Sequence, residues 1–268
     1  MRYLLTILLL IPILVFGQVK RYPFYKYVGT ASDEYINYLA WYQFVDYTDE
    51  GGTHDGTNYG ASISSERLHF PASDGGDYVE LPAGILPSGI DTFTISLRFY
   101  LDETQVDENY YLMGDAVRNT ADDGFYVFLD NASGNDIFNV TSYVQHADNT
   151  RDYVSTGIGG SCQSILAGDT WYHLIMIYYY ATANSARWIS WVDGVYCANA
   201  GDSVFSKALV QDGSTLLIGN EKTLNQGFRE GDMIDDLMFF EGDLRTKYPG
   251  HNYIDDLITD PTKPPILQ

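Results

Sequence analysis

The chain has 268 residues, with 36 acidic against 15 basic side chains and a formal charge of −21, a length that suits one sizeable β domain. Such a charge repels phosphate backbones and argues against nucleic acid as a partner, while 15% aromatic content, 23 tyrosines and 25 glycines argue against disorder. The acidic excess also attracts divalent cations, with plain solubility as the alternative reason for it.

In chain order, Arg2 precedes an apolar run from Tyr3 to Phe16 and then Gly17, the pattern of a cleaved export signal over residues 1–17. An uncleaved anchor is the alternative, but the run is shorter than the ~20 residues that span a bilayer, so no membrane span is expected after cleavage. Removal takes Arg2 from the 15 basic residues and leaves 14 against 36 acidic. Residues 18–40 read as an aromatic, basic arm or leader strand, 41–258 as one domain, and 259–268 as a Pro-rich tail.

Within the domain the hydrophobic period is two. Strands are expected at 38–44, 67–70, 78–81, 92–101, 110–113, 124–129, 137–144, 172–180, 187–192, 215–218 and 234–240, separated by Gly, Asn, Asp and Pro clusters. In 93–101, Phe93, Ile95, Leu97, Phe99 and Leu101 alternate with Thr94, Ser96, Arg98 and Tyr100, so one face is apolar and the other polar. Residues 171–180 are apolar on both faces, which predicts a central strand covered on both sides. Trp171 and His173 share one side of it, and His173 is expected to be a satisfied core histidine rather than a catalytic group or ligand. Asp193-Gly194 is a two-residue hairpin signal, and only 251–258 reads as a helical turn. Many strands and one short helix predict an all-β fold, an antiparallel β-sandwich. In an oxidising destination Cys162 and Cys197 are expected to form a disulfide, with two buried thiols as the alternative.

Five segments, in order, resemble the laminin G-like branch of the concanavalin A-like lectin and glucanase superfamily. They are WYQFVDYTDEGGTHDGTNYGA (41–61), LHFPASDGGDYVELP (68–82), FTISLRFYLDE (93–103), GDTWYHLIMIYY with WISWVDGVY (168–179 and 188–196), and LLIGNEKTLNQGFREGDMIDDLMFF (216–240). The resemblance implies a concanavalin A-like jelly roll. It also implies a structural calcium ion joining an early acidic loop to the closing strand, through Asp49 and Asp235 with help from Asp55 and Asp236; hard cations take six to eight oxygens. The alternative is that these carboxylates cap turns and face water.

The superfamily includes glucanases with an acidic strand of the pattern Glu-x-Asp-x-x-Glu, and Glu230, Asp232 and Asp235 approach it. The last position is Asp rather than Glu, and few residues follow for further strands. No nucleophile elbow, zinc motif or phosphate loop is present, so no catalytic residue is expected. The expected function is a secreted or surface-displayed binding or adhesion module for a glycan or another extracellular surface partner. Tyr143, Tyr153 and Trp188 are the candidate sugar-stacking aromatics, since such rings offer an apolar face to a sugar. The alternatives are a surface assembly protein that self-associates through its terminal arms, and a glucanase-type hydrolase.

Overall fold

The computed structural model describes residues 36–72, 76–102, 110–116, 123–130, 139–145, 151–155, 169–180, 186–197, 214–220, 227–228, 230–248 and 250–265. Its strands are β1 (Tyr38–Tyr42), β2 (Thr57–Tyr59), β3 (Ser62–Ser64), β4 (Arg67–His69), β5 (Tyr78–Leu81), β6 (Thr92–Leu101), β7 (Tyr110–Gly114) and β8 (Gly124–Asp130). They continue with β9 (Asn139–Gln145), β10 (Arg151–Ser155), β11 (Thr170–Tyr180), β12 (Ala186–Val192), β13 (Val195–Cys197), β14 (Leu216–Ile218) and β15 (Met233–Glu241), followed by helix α1 (Tyr253–Thr259). The expected export signal, residues 1–17, lies outside the described residues. No described helix is long and apolar enough to cross a membrane.

The strands form two antiparallel sheets. An eight-stranded sheet runs β13-β12-β11-β6-β15-β4-β3, with β1 also on β15; a seven-stranded sheet runs β10-β9-β8-β7-β14-β5-β2. One edge of β15 is divided, pairing β4 at Met233 and Ile234 and β1 from Leu237 to Phe240, while its other edge follows β6. The apolar alternation of β6 is realised as Phe93, Ile95, Leu97 and Phe99 pointing into a core shared with Phe125, Val127, Leu112 and Ile218 of the other sheet. This is the expected all-β sandwich of concanavalin A-like jelly-roll type.

β11 is central, between β12 and β6. Its inward residues Leu174, Met176 and Tyr178 join the inter-sheet core, and its outward residues Ile175 and Ile177 join a second cluster with Trp41, Met238 and Phe240. That second cluster is roofed by α1, whose Tyr253, Ile254 and Leu257 are buried. Asn252 caps the helix by accepting a hydrogen bond from Ile254 N at 3.3 Å. Asp193 (φ 48°) and Gly194 (φ 74°) both take the left-handed conformation between β12 and β13, which matches the twist of a tight hairpin.

The described ends of the chain are part of this layer. Ile36 is buried, Pro264 and Pro265 are buried, and Ile36 N donates to Pro265 O at 2.9 Å. The leading residues from Ile36 and the tail up to Pro265 therefore pack against the domain. The outer face of the eight-stranded sheet is thus covered at one end of its strands by α1, and the remainder carries polar and aromatic side chains.

Candidate functional site

Among the described residues, the part of that face that α1 leaves uncovered is built by three strands in register. His173 on β11 stands opposite Arg98 on β6, which stands opposite Asp235 on β15; in the next row Trp171, Tyr100 and Met233 align. Alternation along each strand puts Trp171 with His173, and Tyr100 with Arg98, on the outer face.

Two adjacent aspartates reach this face because β15 bulges. Asp235 pairs with Arg98 and Met238 with Ser96, so three steps on β15 oppose two on β6, and Asp236 takes φ 46°. Arg98 Nη1 then lies 3.0 Å from Asp236 Oδ2 and 3.4 Å from Asp235 Oδ2, and Asp235 Oδ1 accepts from Asp236 N at 3.0 Å. Burial and the neighbouring Asp235 push the Asp236 carboxyl up to about 7, with Arg98 opposing them. Asp235 is also raised by burial, against the pull of Arg98.

The guanidinium carbons of Arg67 and Arg98 lie 4.9 Å and 5.0 Å from the Trp171 ring centroid, within cation–π range. Tyr100 tilts against Trp171 at 5.5 Å and its hydroxyl donates to Asp169 Oδ1 at 3.2 Å. Beneath them His173 is buried, its Nε2 hydrogen-bonded to Ser96 Oγ at 2.9 Å. Burial, then Arg98, lowers the His173 pKa to about 4, so it is neutral at physiological pH. The expected satisfied histidine is therefore found at the floor of this face. The half-exposed rings and fixed guanidinium and carboxylate groups supply an apolar stacking surface ringed by planar donors and acceptors.

The early acidic loop is organised differently. Asp49 is 3% exposed and its carboxylate accepts from Trp41 N at 2.8 Å, Gly51 N at 3.1 Å and Thr53 N at 3.4 Å; Asp55 Oδ1 accepts from Asp49 N at 3.3 Å. Among the described residues no group of three or more His, Cys, Asp or Glu side chains is gathered to hold a metal ion. Backbone N–H groups bond the oxygens of Asp49, the Asp236 N–H bonds Asp235 Oδ1, and Arg98 Nη1 bonds Oδ2 of Asp235 and of Asp236, so these carboxylates are already engaged within the protein.

The expected sugar-stacking aromatics are distributed elsewhere. Trp188 is 3% exposed and faces the inter-sheet core, edge-on to Phe93 at 5.9 Å, because its register partner Tyr178 points inward; its expected exposure is corrected. Tyr143 lies in a cluster on the outer face of the seven-stranded sheet, stacked on Tyr126 at 5.0 Å and Phe128 at 5.5 Å. The Tyr153 side chain and Cys162 lie outside the described residues, while Cys197 is buried on β13. Glu230 is exposed in the turn before β15, and the buried Asp232 accepts from Asp102 N at 3.0 Å, so the glucanase-like pattern does not run along one strand face.

The two packed antiparallel sheets define a concanavalin A-like jelly roll. A laminin G family model, described as concanavalin A-like lectin/glucanases superfamily, matches residues 73–247, and the chain belongs to that family. No curated protein matches the chain. Among solved structures it is similar to the botulinum neurotoxin serotype D binding domain (13% identity, TM-score 0.55, covering 76% of this chain and 47% of that one). It is also similar to the serotype D ligand binding domain in complex with N-acetylneuraminic acid (11%, TM-score 0.55, 78% and 48%). A third is the serotype G binding domain (10%, TM-score 0.51, 77% and 48%). The chain spans about half the length of these domains, and the likeness is one of fold.

Proposed function

We propose that this domain is an exported carbohydrate-binding module, working by adhesion rather than catalysis, with the uncovered face of the eight-stranded sheet as its sugar site. The observation that carries this reading is Trp171, half-exposed beside two guanidinium groups and the Asp235–Asp236 pair on a lectin-type sheet. Sugar rings present C–H faces that stack on aromatic rings and hydroxyls that bridge planar donors and acceptors. Family membership and neighbours named for binding support the same class. Export through residues 1–17 and a Cys162–Cys197 bridge belong to this reading, as an oxidising destination favours the bridge.

A glycan array probed with the wild type and Trp171→Ala tests the proposal. Binding by the wild type that is lost in a folded Trp171→Ala is expected. Binding that survives the substitution places the sugar elsewhere, and the absence of any bound glycan sinks the reading.

A further inference from the structure

The two arginines of this face are held differently. Arg98 Nη1 bonds to Asp236 Oδ2 at 3.0 Å and to Asp235 Oδ2 at 3.4 Å, so one nitrogen of its fork is tied to both aspartates. Arg67 has its nearest carboxylate oxygen, on Asp235, 3.9 Å from Nε, beyond hydrogen-bond distance. Its side chain is 40% exposed, and among the described residues its contacts are that long ion pair and the face of Trp171 at 4.9 Å. An arginine so placed is oriented by an aromatic ring and an ion pair, yet keeps its planar N–H donors for a ligand. Guanidinium forks match carboxylates in shape and bind them bidentately.

The setting strengthens the argument. The chain carries only 15 basic residues against 36 acidic, so most of its surface repels anions. Here Arg67 and Arg98 flank one tryptophan, and the two facing aspartates are bonded to Arg98. A ligand carboxylate on Arg67 therefore meets an available donor pair within reach of the ring that would carry the sugar. A neutral sugar would leave those donors to water.

We propose that the site is specific for carboxylated sugars, with Arg67 binding the carboxylate and Trp171 stacking the ring that bears it. This rests on the carbohydrate-binding reading above and names its ligand class.

The test uses calorimetric titration of the full chain with two matched pairs of probes. One pair is galacturonic acid oligomers and their methyl esters; the other is N-acetylneuraminic acid-capped lactose and lactose. The wild type is expected to bind the carboxylated member of at least one pair tenfold or more tightly, a preference that weakens with added salt because exposed charges are screened. Arg67→Gln is expected to abolish the preference while keeping the affinity for the neutral member, and Arg67→Lys to keep only part of it. Trp171→Ala is expected to lose both members, with circular dichroism confirming its fold. Equal affinity for both members of each pair, or a preference that survives Arg67→Gln, overturns this proposal and leaves the sugar site standing. Failure to bind any of the four probes, together with an empty glycan array, overturns both.

Discussion

Arg98 and Asp236 lie 3.0 Å apart across two strands because β15 carries one residue more than β6 between their neighbouring pairs, which turns Asp236 onto the same face as Asp235. Without that bulge, consecutive residues would point to opposite sides of the sheet. Removing the guanidinium leaves two adjacent, mostly buried carboxylates uncompensated. Arg98→Met is expected to cost about 3 kcal/mol or more, the range for breaking a buried pair from one side. Urea unfolding reads the loss, and adding Asp235→Asn with Asp236→Asn should recover most of it. A destabilisation that persists in the triple variant would show that Arg98 acts through packing instead.

His173 sets an acid dependence. Its pKa is lowered from 6.5 to about 4 in the folded chain, first by burial and then by Arg98. The unfolded imidazole gains its proton near pH 6.5, so this stability is complete above that pH and is lost as pH falls toward 4, by about 3 kcal/mol. Asp236, raised from 3.8 to about 7, works in the opposite sense, since its unfolded carboxyl releases a proton first and stability falls as pH rises through that window. The two offset each other in the wild type. Subtracting the unfolding profile of His173→Gln isolates the histidine: the wild-type advantage is expected to shrink between pH 6.5 and 4. Parallel profiles would sink the assignment.

The long strands were legible because their alternation is strong: β6 is found at the residues its pattern marks, and β11 starts two residues earlier than expected, at Thr170. Those missed are β2, β3, β10 and β13, of three to five residues each. Thr57–Tyr59 and Ser62–Ser64 are largely exposed, so their strand character comes from the partner they pair with rather than from their own burial. Asp235 and Asp236 stood out in the sequence, but their cation did not, because Arg98 is 137 and 138 positions away and only the register of β6 against β15 brings it near. Trp188 was misplaced for a related reason. Residues 186–192 carry tryptophan on both faces, Trp188 inward and Trp191 outward, so alternation alone cannot choose between them.

Asp49 organises its loop as a hydrogen-bond acceptor. Its side chain gathers Trp41 N, Gly51 N and Thr53 N. Asp49→Ala would leave the buried Trp41 N–H unpaired, and a loss of about 2 kcal/mol is expected. Because those donors already hold the carboxylate, millimolar calcium or a chelator is expected to leave the melting temperature of the wild type unchanged. A calcium-dependent rise that vanishes in Asp49→Ala would restore the metal role.

The proposed Cys162–Cys197 bridge would close a loop of about 35 residues, worth about 3 to 4 kcal/mol in the chain-entropy account. Peptide mass mapping without reductant should recover the two cysteines in one linked fragment. Reduction should then lower the urea midpoint, and Cys162→Ser with Cys197→Ser should match the reduced wild type. Two thiols that alkylate freely in the unreduced, denatured protein would rule the bridge out.

The tryptophans Trp171 and Trp188 separate function from folding. Trp188 packs among Phe93, Phe125 and Tyr178 in the inter-sheet core, so Trp188→Ala opens a cavity and is expected to cost about 3 to 5 kcal/mol. Trp171 is half-exposed, and its neighbours Arg67, Arg98 and Tyr100 remain anchored by other strands. Trp171→Ala should therefore cost about 1 kcal/mol, mostly lost cation–π and ring contacts, while removing glycan binding. Unfolding midpoints and glycan titrations on both variants give a crossed pattern if the uncovered face is the sugar site. If instead Trp188→Ala binds poorly in proportion to its unfolded fraction and Trp171→Ala binds normally, the aromatic surface that serves the sugar lies elsewhere.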